Sequence, residues 1–196
     1  MIKISIIAIC FSLLFVVLAW FMLPKFLEQP KYKVVRKEND IEIRKYDKIL
    51  TSSVKVYGDQ YNSLRKGFQP LVRYIGAKER DSEKISMTAP VIQTTNDESE
   101  NWTVSFAMPS KYNIDNLPKP ANDEIYFEEI QPSLAAVIRF SGVADTSLLT
   151  RKASVLKRWL ELNGYTESSS PKFLFYNDPT TPGFLRRNEV MIIIDK

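Results

Sequence analysis

At 196 residues, 44% of them hydrophobic and 26% charged, the chain has the composition of one globular domain with room for a sizeable core. Its formal charge of +4 comes from basic residues scattered among acidic ones, so the concentrated basic stripe of a nucleic-acid binder is missing. There is no histidine, and the single cysteine, Cys10, lies in an apolar run, which excludes Ser-His-Asp and Cys-His catalysis and zinc sites built from His and Cys.

From Ile4 to Leu23 no residue is charged, and all but Ser5, Cys10 and Ser12 are plainly apolar. About 20 such residues suffice to cross a bilayer as a helix. Residues 1–23 are read as an uncleaved single-pass anchor in preference to a cleaved signal sequence. Val17-Leu18-Ala19 is a weak cleavage site, and the apolar run continues through Trp20, a residue suited to a membrane interface. The short tail before the run favours an extracytoplasmic domain. On a strict charge count, Lys25, Lys31, Lys33, Arg36 and Lys37 after it would instead hold the domain in the cytoplasm. Residues 24–31, with Pro24 and Pro30, make a stiff linker, and residues 32–196 form the folded domain, expected as a monomer.

Within that domain Tyr32–Tyr46 and Ile49–Tyr57 read as strands, Ile41 and Ile43 alternating with Glu42 and Arg44, and Val54 and Val56 bracketing Lys55. A helix is expected from about Asp59 to Ile75, because Tyr61, Leu64, Phe68, Leu71, Val72 and Ile75 recur at the spacing of one helical face. Gly76 stops it, and Pro70 should kink or divide it. Lys84–Val91 reads as the next strand, with Ile85, Met87, Ala89 and Val91 on one side and Pro90 marking an end, edge or bulge. Trp102–Met108 follows as another, after a polar loop at Thr94–Glu100.

The second half repeats the order. Ile125–Ile130 and Leu134–Phe140 read as strands, and Thr146–Asn163 as a helix with Leu149, Ala153, Leu156, Trp159 and Leu160 on one face. Phe173, Phe175 and then Val190–Ile194 give two more strands. Each half, 32–117 and 122–196, thus reads strand, strand, helix, strand, strand about a joint at Pro118-Lys119-Pro120-Ala121. This is an α+β plan repeated in pattern, not in letters. Glu128 and Glu129 are neighbours on a strand and point to opposite faces, so they cannot work as an acid–base pair. The acids at Asp97, Glu98 and Glu100 suit a solvated loop. No catalytic constellation emerges, and the chain is expected not to be an enzyme.

Four blocks carry a more specific message: Lys84-Ile85-Ser86-Met87-Thr88-Ala89-Pro90-Val91, Phe106-Ala107-Met108-Pro109-Ser110-Lys111-Tyr112, Phe140-Ser141-Gly142, and Tyr176-Asn177-Asp178-Pro179 with Pro182-Gly183-Phe184-Leu185-Arg186-Arg187-Asn188-Glu189-Val190. In this order they resemble the SOUL family of haem-binding proteins, over the chain from about Tyr32 to its last residues. The resemblance implies two pseudo-symmetric halves forming a distorted eight-stranded antiparallel barrel flanked by two helices. It also implies a non-covalently bound haem or other tetrapyrrole in a surface groove between the first helix and the carboxy-terminal loop.

A porphyrin is a broad apolar plate with two propionates, so its site needs apolar walls and cations at the rim. Leu64, Phe68, Leu71, Met87 and Phe184 are candidate walls, with Arg65, Arg73, Arg186 and Arg187 at the rim. Leu64, Phe68 and Leu71 lie on the stripe read as the core face and Met87 suits core filling, so core is the leading reading for these four, while Arg186 and Arg187 can pair with nearby acids or point inward to order the loop. Any iron ligand in the domain must come from Met or Tyr, for instance Met87, Met108, Tyr61, Tyr112 or Tyr176, so binding without histidine is expected. Two other readings stand beside this one. One is a sensor or scavenger of lipophilic small molecules, like the effector-binding domains of some bacterial regulators, with Glu42, Glu128 or Glu129 as its buried acid. The other is an interaction module of the cell envelope, whose mark would be an exposed apolar patch without a pocket.

Overall fold

The alternating stretch after Tyr32 is two strands, not one. Asn39, at φ 52, takes a left-handed conformation that asparagine tolerates, and turns the chain back on itself. In the computed structural model, which describes residues 12, 27–78, 83–95 and 101–195, this hairpin opens a series of ten strands and two helices. They are β1 (Tyr32–Glu38), β2 (Ile41–Tyr46), β3 (Ile49–Tyr57), α1 (Gln60–Ile75), β4 (Val91–Thr95), β5 (Asn101–Ala107), β6 (Tyr126–Ile130), β7 (Ser133–Phe140), α2 (Thr146–Leu162), β8 (Thr166–Glu167), β9 (Lys172–Phe175) and β10 (Asn188–Asp195). The apolar run expected as an anchor lies outside the described residues except for Ser12. Among the described residues no helix is long and apolar enough to cross a membrane.

All strands join one antiparallel sheet in the order β1-β2-β7-β10-β9-β4-β5-β3-β6, with β8 beside β10. The sheet curls into a half-barrel and carries more strands than the distorted eight-stranded antiparallel barrel that was expected, while the α+β class and the two flanking helices are as expected. Its free edge at β1 carries Lys33, Arg36 and Lys37 on exposed positions, the kind of charge that keeps an edge from pairing further. The connectivity has an internal symmetry. β4-β5-β3 forms one unit and β9-β10-β7 the other, joined where Val91–Thr94 of β4 meets Lys172–Phe175 of β9. β2 crosses over to pair with β7, and β6 crosses to pair with β3, so each unit is completed by a strand from the other half of the chain.

The signature stretch Lys84–Val91 is not a strand until its last residue. Ile85 N–H donates to the Ile75 carbonyl at 2.8 Å, the Thr88 hydroxyl to the Ala107 carbonyl at 2.6 Å, and Ala89 N–H to the Glu28 carbonyl at 2.9 Å. Single bonds to the end of α1, to β5 and to the entering chain replace a ladder. The apolar alternation there reports neither pairing nor a steady alternation of burial: Ile85 is buried and Ser86 exposed, but Thr88, Ala89 and Pro90 are all buried.

Both helices start on an aspartate cap. Asp59 Oδ1 accepts from Asn62 N at 3.0 Å, and Asp145 Oδ1 accepts from Leu148 N at 2.7 Å. α1 is not divided at Pro70 and ends at Gly76, whose N–H donates to the Val72 carbonyl. Both helices lie on one face of the sheet. α2 packs Leu149, Ala153, Leu156 and Leu160 against Ile43, Ala136, Ile138, Val190 and Ile192, while α1 packs Leu71, Tyr74 and Ile75 against Leu50, Val54, Val104 and Phe106. The opposite, concave face carries a third cluster that includes Ala135, Val137, Leu174, Tyr176 and Met191.

Candidate functional site

The apolar stripe of α1 and its buried face do not coincide. Gln60, Ser63, Gly67, Leu71 and Tyr74 are buried against the sheet. A Cβ placed on Gly67 would lie 2.6 Å from the Val104 side chain, so the helix sits closer to the sheet than any larger residue would permit. This close seating rotates the stripe outward. Leu71 is fully buried, Leu64 half-buried, Phe68 38% exposed and Tyr61 65% exposed. The Phe68 ring meets Phe106 edge-on at 5.3 Å and keeps its other side open.

β4 and β9 run side by side between the strands covered by α1 and those covered by α2. Their helix-side residues Val91 and Phe175, directly opposite each other and half-buried, floor a valley between the helices. The two helix starts close one end. Gln60 Nε2 donates to Gln93 Oε1 at 2.7 Å, Gln93 Nε2 donates back to the Gln60 carbonyl at 2.8 Å, and the Thr146 hydroxyl lies 3.5 Å from Gln60 Oε1. Half-buried Met87 packs against the cluster under α1.

The chain between β9 and β10 supplies the remaining wall. Arg186 clamps it from within, Nε donating to the Thr181 carbonyl at 2.7 Å and Nη2 to the Pro179 carbonyl at 2.6 Å. The Gly183 carbonyl accepts from Gly142 N at 2.9 Å, which ties the loop to the turn before α2. One 3-10 turn at Gly183–Leu185 then presents Phe184 at 77% exposure and Leu185 at 50%.

The base of this loop is bolted to the concave face by a buried charge cluster. Glu189, fully buried, accepts from Arg44 Nη1 at 2.8 Å and Nη2 at 3.1 Å, from Arg187 Nη2 at 2.8 Å, and from the Tyr176 hydroxyl at 2.9 Å. Arg44 also donates to Glu42 at 2.8 Å and to the Tyr46 hydroxyl at 3.1 Å. The two guanidiniums lie over the rings of Tyr32, at 4.3 Å, and Tyr176, at 3.7 Å. Burial alone would push the Glu189 carboxyl up, but Arg44 and Arg187 outweigh it and hold the group below its usual range. Burial pushes the Tyr46 phenol up to about 12. Burial and the Glu189 charge also raise the Tyr176 phenol well above its usual range, so its hydroxyl stays a donor.

The expected site residues therefore separate. Leu64, Phe68 and Met87 line the α1 side of the valley, and Phe184 projects from the loop beyond its floor. Arg65 is exposed on α1 and makes no ion pair among the described residues. Leu71 belongs to the core, Tyr176 and Arg187 hold Glu189, and Arg186 shapes the loop. Arg73 lines a separate depression with Gln69, Pro70 and Glu124. Of the acids considered for a cationic ligand, Glu42 pairs with Arg44 and Lys37, and Glu129 with Lys48, while Glu128 faces a trough on the concave side. Among the described residues no group of His, Cys, Asp and Glu could hold a metal ion.

Sequence reasoning missed the valley floor at Val91 and Phe175, the Gln60–Gln93 closure and the Arg44–Glu189 pair. Arg44 sits at an apparently outward position of β2, and only the burial of both sheet faces turns that position inward.

The model of the SOUL heme-binding protein family matches residues 27–193. Heme-binding protein 1 of Xenopus laevis is 29% identical over 158 residues, which cover 78% of this chain and 82% of that protein. Heme-binding protein 2 of Homo sapiens is 26% identical over 162 residues, covering 79% and 78%. In the solved structures, the C-terminal domain of EcmrR shares the fold, with a TM-score of 0.64, 16% identity, and coverage of 84% of this chain and 98% of that one.

Proposed function

This chain belongs to the SOUL heme-binding protein family, and from that premise we propose that it binds a haem or other tetrapyrrole in the valley between α1 and the loop at 176–187, without catalysing a reaction. The observation that carries this reading is the outward rotation of α1, which leaves Leu64 and Phe68 beside Val91 and Phe175 with no side chain of the domain covering Phe68 fully. The macrocycle lies against these residues, with Phe184 closing from the loop, and exposed Arg65 meets a propionate. No histidine is present to bind iron, so apolar contact and propionate pairing supply the affinity. Titration of the full chain with haemin and with iron-free protoporphyrin tests this. Comparable affinities are expected; a strong preference for the iron form, or no binding of either, would contradict it.

The trough on the concave face does not suit a lipophilic cation. Its acid would be Glu128, and Lys55 and Lys172 face the same trough.

We further propose that the apolar run at 4–23 tethers the domain to a membrane, outside the cytoplasm. The docked segment begins at once after it: Leu27 packs on the concave-face cluster, and Gln29 accepts from Arg187 at 3.1 Å. Residues 24–26 then allow a tether of at most roughly 14 Å. Protease added to intact cells should remove the domain; full protection would refute the orientation.

A further inference from the structure

The concave face has its own recess, of about 530 Å³, on the side of the sheet away from the helices. Lys172 rises into it from β9 and Lys55 from β3, facing the lone carboxylate of Glu128 on β6. Lys172 is the unusual member. It is half-buried, and among the described residues its ammonium makes neither hydrogen bond nor ion pair. Burial lowers its pKa, and the Glu128 charge only partly offsets this. A structural lysine would be expected either to pair with an acid or to reach solvent.

The lining around it offers matching chemistry. The Ser53 hydroxyl donates to Ser105 at 2.7 Å, which leaves the Ser105 proton free to donate into the recess. The Tyr126 hydroxyl has no partner among the described residues, and the Lys55 ammonium lies 6.0 Å from the Tyr126 ring. Ile92 and Ile130 supply apolar surface beside these groups.

We propose that this recess is a second ligand site, separate from the valley between the helices, and that it takes a small amphiphilic organic monoanion. Its carboxylate lies between Lys172 and Lys55, its apolar body rests on Ile92 and Ile130, and Ser105 and Tyr126 donate to further oxygens. Two lysines against one glutamate leave the recess a net positive charge, which selects against a cation of the same shape.

Phenylpropionate, phenylpropanol and phenylpropylammonium are nearly the same size and differ in charge, so titrating the full chain with each reads that selection directly. Phenylpropionate is expected to bind at least about tenfold more tightly than the other two. Lys172→Gln should abolish the preference, and Glu128→Gln should strengthen phenylpropionate binding several-fold, a gain that a merely misfolded variant cannot produce. Saturating haemin should leave phenylpropionate binding unchanged. Equal affinity for the three, tighter binding of the ammonium, a preference that survives Lys172→Gln, weakening by Glu128→Gln, or one-for-one displacement by haemin would each overturn the proposal.

Discussion

The two helices occupy equivalent places over the two units of the sheet, yet they meet it differently. α2 buries the apolar stripe that its sequence displays: Leu149, Leu156 and Leu160 are almost wholly buried, and Ala153 nearly so. α1 buries a seam of Gln60, Ser63, Gly67 and Leu71 instead, and turns Phe68 and Tyr61 outward. An amphipathic helix whose apolar and buried faces agree has done all its work in the core. Where the faces disagree, apolar area is left for something else to cover. α1 also looks across the valley to a loop held by buried charge.

The sharpest way to break this contrast is at that charge. Glu189→Gln leaves Arg44 and Arg187 buried without a full counter-charge and should cost about 3–5 kcal/mol in urea unfolding. The loop beside α1 should loosen with it, lowering haemin affinity while the packing of α2 is kept. The same carboxylate sets an acid limit. Its folded pKa is depressed, so its contribution is fully present above the ordinary value of 4.5 and is lost as pH falls through the lower folded value. Unfolding followed downward from pH 4.5 should therefore be steeper for the natural chain than for Glu189→Gln.

Next come the true core positions, where the helices should behave alike. Leu71→Ala on α1 and Leu156→Ala on α2 should each cost about 2–5 kcal/mol. A much smaller loss at Leu71 would mean that α1 is seated less deeply than described.

The seam residues should then separate the helices again. Gly67→Ala puts a methyl against Val104 and should cost about 1–3 kcal/mol, by thermal or urea unfolding. In α2, Ala153→Gly loses helix propensity worth about 1 kcal/mol. If Gly67→Ala stabilised the protein, the close approach of α1 would be wrong.

What could be read from the letters follows the same division. α2 was legible over Thr146–Asn163, against the observed Thr146–Leu162, because periodicity and burial agree there. The α+β class and most strands were legible from alternation. The face of α1 was not, since a glycine and a serine carry no apolar signal, and only the nearness of Val104 explains why they are inside. Lys84–Val91 mimics a strand because its apolar letters alternate, although its burial does not, Thr88, Ala89 and Pro90 being buried in succession, and its hydrogen bonds go singly to Ile75, Ala107 and Glu28. The hairpin turn at Asn39 was overlooked in a run of residues that all suit strands. In the candidate site, Phe184 was open to sequence reasoning as an apolar loop residue beyond the needs of the core, whereas Phe68 stood on the stripe read as core. Arg187 pairs with a nearby acid, as its sequence position allows, but the cluster it joins with Tyr176 around Glu189 was not legible, because the third partner, Arg44, lies 145 residues from Glu189, a pairing that no local pattern encodes.

The most direct test of the tetrapyrrole valley sets one helix against the other. Haemin is titrated into the full chain carrying Phe68→Glu on α1, and into the chain carrying Val155→Glu at an exposed apolar position of α2. Phe68→Glu should weaken binding at least about tenfold, a loss of ~1.4 kcal/mol, and Val155→Glu should leave it within about twofold of the natural chain. Equal weakening by both, or a loss confined to Val155→Glu, would contradict the assignment of the site to the outward face of α1.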